Sequence, residues 1–150
     1  IEDYAAYEGE HRKRQIEIAV QLFEAMGIRR EDAERRHDWV MRGFRQFNAP
    51  VSIVVCFDRS LIKNTIAHFD TGAMTYGLVL AAWSKGLGAV INCQGIMQSP
   101  VVRQAAMIPD DQVILTCVAL GWPDEDFVAN SVISHRRPLE NVTCFLGFDE

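Results

Sequence analysis

The sequence predicts an α+β domain, and three observations within its 150 residues point there. Residues 51–57, 89–92 and 112–120 are short uncharged runs rich in β-branched and other apolar side chains, the composition of buried strands. Residues 11–26 and 30–47 instead carry apolar positions at three- and four-residue steps, the period of a helix with one covered face. Between the first two strand segments, residues 71–85 form an apolar stretch with helix-forming residues and almost no polar side.

Taken in order, the first helix turns Ile16, Ala19, Val20 and Phe23 inward and Glu17, Gln21 and Glu24 outward, and Gly27 ends it. The second turns Ala33, Val40, Phe44 and Phe47 inward. Its arginines, Arg29, Arg30, Arg35 and Arg36, are interleaved with Glu31, Asp32, Glu34 and Asp38, which marks a solvated face rather than a nucleic-acid surface. Asn48-Ala49-Pro50 breaks this helix before the first strand, and residues 58–69 are expected to be a connecting loop.

The apolar helix at 71–85 should be buried, because Ala73, Met74, Leu78, Val79, Leu80, Ala81, Ala82 and Trp83 cover its whole circumference. Ala73, Gly77 and Ala81 recur every fourth residue, a stripe without bulk on which another backbone can lie closely. Gly86 and Gly88 stop the helix, and the strand at 89–92 runs straight into Gln94-Gly95, a polar turn at a strand end where ligands often sit. Ser99 and Pro100 have the chemistry of an N-cap and first helical position for a short helix to Ala106. Ile108-Pro109-Asp110 ends that helix, Gly121-Trp122-Pro123-Asp124 turns the chain out of the last strand, and an aperiodic tail follows that needs another surface to lie on.

Length and composition predict one domain, 1–150, rather than two. No apolar run reaches membrane-span length, and the start lacks the layout of a signal peptide, so a cytoplasmic protein is expected. The net charge of −5 argues against a nucleic-acid partner. Cys56, Cys93, Cys117 and Cys144 are scattered through apolar runs without a C-x-x-C pair, which suits buried reduced thiols. The four histidines show no metal-ligand spacing, and Asp124-Glu125-Asp126 lacks the rest of a calcium loop, so no metal is expected. The chain begins at Ile1 rather than methionine and is expected to be processed or part of something longer.

Among shorter motifs, Gly86-Leu87-Gly88 precedes a strand, whereas a dinucleotide fingerprint follows one, and it is rejected. Ser60-Leu61-Ile62-Lys63 lacks the companion motifs of acyl-serine enzymes. Asn141-Val142-Thr143 is a sequon without meaning in a cytosolic chain. Two features remain. Gln94-Gly95 offers backbone donors to a flat ligand, or is a plain turn. Arg136-Arg137 has few nearby acids and suits a phosphate, or is a solvated pair.

The apolar helix followed by Gly-Leu-Gly, the Gln94-Gly95-Ile96 turn, the Ile-Pro-Asp step, the Leu120-Gly121-Trp122-Pro123 corner and the closing Arg136-Arg137-Pro138-Leu139 together resemble the flavin-dependent nitroreductase family, over its carboxyl-terminal two-thirds. The resemblance covers nearly everything from Phe47 onward and, more loosely, the helices before it. It implies an α/β sandwich with a central mixed sheet, a dimer-interface helix, and an obligate homodimer binding FMN at the subunit boundary. Asn92, Gln94, Gly95 and Ile96 would then line the cofactor, the backbone of Gln94 and Gly95 facing the flavin N5 edge, and Arg136 would hold the phosphate. The family's amino-terminal arginine- and serine-rich grip and a later asparagine-containing loop have no counterpart here, and Ser134 stands where some relatives have a phosphate-binding lysine.

The function so implied is an NAD(P)H-dependent FMN oxidoreductase acting on small nitroaromatic or quinone-type electron acceptors, or a truncated form of one. The chemistry is then the cofactor's, and no side chain is assigned as catalytic. The rival expectation is a cofactor-free dimerisation or binding module derived from a flavoprotein; a related flavin reaction, dehalogenation or ring dehydrogenation, ranks third.

Overall fold

The computed structural model describes residues 6–148. Two compact units are formed, one containing Arg30–Asp124 and the other containing Glu8–Arg29 and the chain from Glu125 onward.

In the first unit, β1 (Val51–Asp58), β2 (Gly88–Asn92) and β3 (Gln112–Gly121) build one sheet in the order β1-β3-β2. Among the described residues both pairings are antiparallel, whereas a mixed sheet was expected. β3 takes the centre because its uncharged sequence tolerates cover on both faces: Val113, Ile114, Thr116, Cys117, Val118 and Ala119 are all buried. Cys117 is paired with Val54 on one side and Asn92 on the other, which puts it at the heart of the sheet beside the end of β2. The pairing shifts between Val55 and Cys56, where Leu115 has no partner in β1, and this bulge bends the strand.

Helix α2 (Ala33–Phe44) begins where Asp32 accepts a hydrogen bond from the Arg35 N–H at 3.2 Å. It is shorter than the 30–47 segment expected, and its inner face is different. Ala33, Val40 and Phe44 are exposed, while Gly43 is buried. Beyond α2 the chain makes a left-handed turn, with Gln46, Phe47 and Asn48 at φ of 55, 55 and 60°. Such a conformation costs about 1 kcal/mol or more for each residue with a Cβ. Asn48 is the type that accepts it most readily, and Pro50 then holds the exit by closing on Gly121, where an added Cβ would lie 2.7 Å from its Cδ.

Helix α3 runs Thr65–Trp83, so most of the expected loop at 58–69 is a 3₁₀ turn at Arg59–Leu61 and the first turns of this helix. Asn64 starts α3 early: its Oδ1 accepts from the Ile66 N–H at 2.9 Å and the Ala67 N–H at 3.2 Å. Gly86, at φ +78°, closes it, with the Gly86 N–H donating to the Trp83 carbonyl at 2.9 Å and the Leu87 N–H to the Ala82 carbonyl at 3.1 Å. Full burial of α3 is overturned within the chain. Only Thr75 and Ala82 are buried, while Ile66, Phe69, Met74, Tyr76, Leu80 and Trp83 are exposed and the space beside Gly77 is open.

Helix α4 (Ser99–Ala105) has Gln98 rather than Ser99 at its N-cap, with no side-chain cap bond, and Ser99 is buried inside the first turn. The Ile-Pro-Asp step after it is held by two arginines on backbone carbonyls. Arg59 Nε donates to the Asp110 carbonyl at 2.7 Å, and Arg103 Nη2 to that of Gln112 at 2.9 Å. Cys93 and Cys144 are exposed, contrary to the expectation of four buried thiols.

The second unit holds helix α1 (Gly9–Ala25) and the tail. Gly27, at φ +61°, ends α1 as expected: its N–H donates to the Glu24 carbonyl at 3.0 Å and the Ile28 N–H to that of Phe23 at 2.8 Å. The tail forms two short 3₁₀ turns, Val128–Ser131 and Leu139–Asn141, and leaves Ile133, Phe145, Leu146 and Phe148 exposed.

Replacing Asn64 with alanine should destabilise the protein by about 1 kcal/mol, since two amides at the start of α3 lose their acceptor. Urea denaturation reads this directly, and an unchanged midpoint would contradict the capping role.

Candidate functional site

The 3₁₀ turn Gln94–Ile96 follows β2 after a single residue, Cys93, and lies beside the end of α2. Asn92, buried as the last residue of β2, ties these segments together. Its Nδ2 donates to the Gly43 carbonyl at 2.9 Å and to Gln46 Oε1 at 3.3 Å, and its Oδ1 accepts from the Gln94 N–H at 2.8 Å. Each polar atom of the amide is therefore in use, as burial requires.

Two glycines let the segments interlock. A Cβ on Gly43 would lie 1.9 Å from Gln94 Oε1, and one on Gly95 would lie 1.6 Å from Gln46 Nε2 and 3.0 Å from Cys117 Sγ. Each glutamine occupies the space that the other segment's glycine leaves, and Gln94 Nε2 also donates to the Val40 carbonyl at 3.4 Å. Gly95 thus makes room for Gln46, not chiefly for a backbone twist.

The turn's donors are unequally used. The Gln94 N–H is spent on Asn92, the Ile96 N–H reaches the Cys93 carbonyl at 3.2 Å, and the Gly95 N–H finds no acceptor among the described residues. The single open donor of this turn is therefore at Gly95, narrower than the pair of donors the sequence suggested. Ile96 is wholly enclosed, grouped with Ile114 and Cys117 in the core, and its side chain cannot touch a ligand. Asn92 is likewise buried, and its amide oxygen holds the start of the turn.

Arg136 lies in the other unit, exposed, with its Nη1 donating to the Ser134 hydroxyl and, at 3.3 Å, to the Ser134 carbonyl. Ser134 thereby orients the guanidinium rather than adding a second positive charge. Among the described residues no His, Cys, Asp and Glu group is placed to hold a metal ion. Gln46 was not singled out from sequence, because a glutamine at a helix end carries no periodic or motif signal; the cue available was the Gln94-Gly95 pair needing something to fill its glycine.

The profile of the Nitroreductase family matches residues 3–122. The nitrobenzene nitroreductase of Ectopseudomonas oleovorans is 34% identical over 126 residues, covering 84% of this chain and 55% of that protein. The chloronitrobenzene nitroreductase of Comamonas testosteroni is 33% identical over the same shares of both chains. The chain therefore spans about half the length of the curated relatives it matches. In structure it resembles the FMN and NADPH-dependent nitroreductase NfnB from sphigopyxis sp. strain HMH, with a TM-score of 0.85 at 23% identity over 97% of this chain and 66% of that one. NfnB from Mycobacterium smegmatis, solved in complex with NADPH, gives a TM-score of 0.84 at 20% identity over 96% and 64%. These two likenesses establish the fold.

Beneath the turn, Cys117 Sγ donates to the Asn92 carbonyl at 2.7 Å and accepts from Gln46 Nε2 at 3.2 Å. Burial pushes its thiol above the ordinary value of 9.0, outweighing the opposite pull of the Gln46 hydrogen bond. A raised thiol favours the fold fully below its unfolded pKa, and that contribution is lost as pH rises through the folded one. At pH 8 an alkylating reagent should accordingly label exposed Cys144 in the native protein and reach Cys117 only after denaturant is added. Peptide mapping by mass spectrometry checks this, and equal labelling of the two would contradict it.

Proposed function

Because the chain belongs to the nitroreductase family, we propose that it is, or is a portion of, an FMN-dependent oxidoreductase that takes electrons from NAD(P)H and delivers them to small nitroaromatic or quinone-type acceptors. The observation that carries this reading is the Gln94–Ile96 turn, which lies within the matched stretch and leaves one backbone donor open at the end of a strand. Each unit offers a group of the right chemistry. In the first, the Gly95 N–H would donate to the acceptor edge of a flat ring; in the second, the Arg136 guanidinium would take a phosphate by a charge-assisted pair. When bound, FMN supplies the reversible uptake of a hydride that links a nicotinamide donor to the acceptor. The chain's own share is to bind and orient: the turn is held by Asn92 and Gln46, and no side chain of it needs to gain or lose a proton.

A homodimer belongs to the same proposal. The exposed apolar residues of α3, with Trp83 at 76% and Phe69 at 72% exposure, form more apolar surface than a monomeric helix presents to water, and the open stripe at Gly77 would admit a second backbone. No helix among the described residues is long and apolar enough to cross a membrane. A cytoplasmic setting is part of the proposal and suits four cysteines, Cys56, Cys93, Cys117 and Cys144, that form no disulfide.

The purified protein is expected to be yellow, with flavin absorbance co-eluting on gel filtration and NAD(P)H oxidation that depends on an added nitroarene. Arg136→Ala should weaken FMN by roughly one to two powers of ten, the worth of a charge-assisted phosphate contact. A colourless protein that takes up no FMN on titration would sink the reading in favour of a cofactor-free dimerisation module. Independently, Gly77→Leu should abolish the dimer in equilibrium sedimentation while leaving the monomer folded, since nothing in the chain lies within 4 Å of a Cβ at Gly77. A wild-type protein that sediments as a monomer at micromolar concentration would remove the dimer.

A further inference from the structure

Gln46 has an amide at the sheet end, a place where filling space alone would call for an apolar side chain. Its Oε1 accepts from Asn92 Nδ2 at 3.3 Å, its Nε2 donates to Cys117 Sγ at 3.2 Å, and the same Nε2 stands 1.6 Å from where a Cβ on Gly95 would be. The residue sits at φ 55°, the first of three successive residues with left-handed backbone. Strain of this kind persists only where the surroundings determine it, and it gathers at sites where geometry matters.

Each group that Gln46 touches has a second partner. Asn92 Nδ2 retains the Gly43 carbonyl at 2.9 Å, and Cys117 Sγ retains the Asn92 carbonyl at 2.7 Å. Removing the amide therefore leaves one of the two Asn92 Nδ2 hydrogens without an acceptor, a loss that weakens the fold without undoing it. What the amide does uniquely is lie against the Gly95 backbone, whose N–H is the open donor of the turn.

We infer that Gln46 is a positioning residue: braced between Asn92 and Cys117, it presses on Gly95 from the core side and fixes the direction in which the Gly95 N–H meets a flavin. This rests on the reading of the turn as the flavin-facing edge. A donor held in place costs no reorganisation when charge gathers on its acceptor, so the brace acts on the electronics of the bound ring as well as on affinity.

The test compares the wild-type chain with Gln46→Met, which keeps an unbranched side chain of similar length but removes both polar contacts. Three quantities are read: the FMN dissociation constant, the affinity of sulfite for the N5 position of the bound flavin, and the amide proton and nitrogen chemical shifts of Gly95 in FMN-free protein. Gln46→Met should keep a single cooperative melting transition lowered by about a few degrees, bind FMN about tenfold more weakly, change the sulfite affinity, and move the Gly95 amide resonance. A variant that matches wild type in FMN and sulfite affinity overturns the positioning role while leaving the proposed function intact. A wild-type chain that binds no FMN overturns the proposed function and this role together. Should Gln46→Met fail to fold, the residue is structural and the inference is wrong; Gln46→Glu, which keeps the acceptor for Asn92, would then fold.

Discussion

A buried amide must have every polar atom satisfied, and at the end of β2 this requirement organises the surrounding chain. Leaving one such atom without a partner costs about 1–3 kcal/mol. Asn92 avoids that cost by donating to Gly43 and Gln46 on one side and accepting from Gln94 on the other. The end of α2, the left-handed turn beyond it and the turn after β2 are consequently held at one point. Cys117, in the central strand directly opposite Asn92, completes the arrangement from below. The open donor at Gly95 is a by-product of this economy, because its neighbours in the turn already have their acceptors.

The two glutamine-on-glycine contacts translate that polar requirement into shape. Gln94 fills the space over Gly43 and Gln46 the space over Gly95, so neither segment can slide without pushing an amide into a backbone. A side chain at either glycine would have to displace the glutamine opposite, and at Gly95 it would also press on Cys117 Sγ at 3.0 Å. The geometry of the turn is thus fixed by backbone proximity, which is stiffer than contacts between long side chains.

Helix α3 follows the opposite logic. Its apolar residues are too many for one sheet to cover: the sheet face takes Thr75 and Ala82, and most of the rest of the circumference faces outward. Threonine is accommodated there because Thr71 and Thr75 return their hydroxyls to the Ala67 and Thr71 carbonyls at 2.6 and 2.7 Å, leaving neither hydroxyl unmet. Such a helix suits two surfaces, and the proposed dimer would supply the second.

What the sequence determined by itself was the set of elements and their stops. Residues 51–57, 89–92 and 112–120 became strands nearly as read, because uncharged β-branched runs have few other stable homes. Gly27 and Gly86 end helices for a reason local to one residue, the freedom to take positive φ. Gln94-Gly95 was legible as a turn at a strand end by the same kind of local signal, and the motifs around it carried the family. Tertiary structure alone decided the rest. That α3 is uncovered depends on how much apolar surface the other elements can spare, a sum over the fold and not a property of the helix. That the strands pair antiparallel in the order β1-β3-β2 depends on which edges meet, which composition does not encode. That Asn92 and Ile96 turn inward, and that Gln46 reaches Gly95 across 49 positions of sequence, depends on α2 ending in a strained left-handed turn beside β2, and no periodicity or motif records a contact made by folding distant segments onto one point.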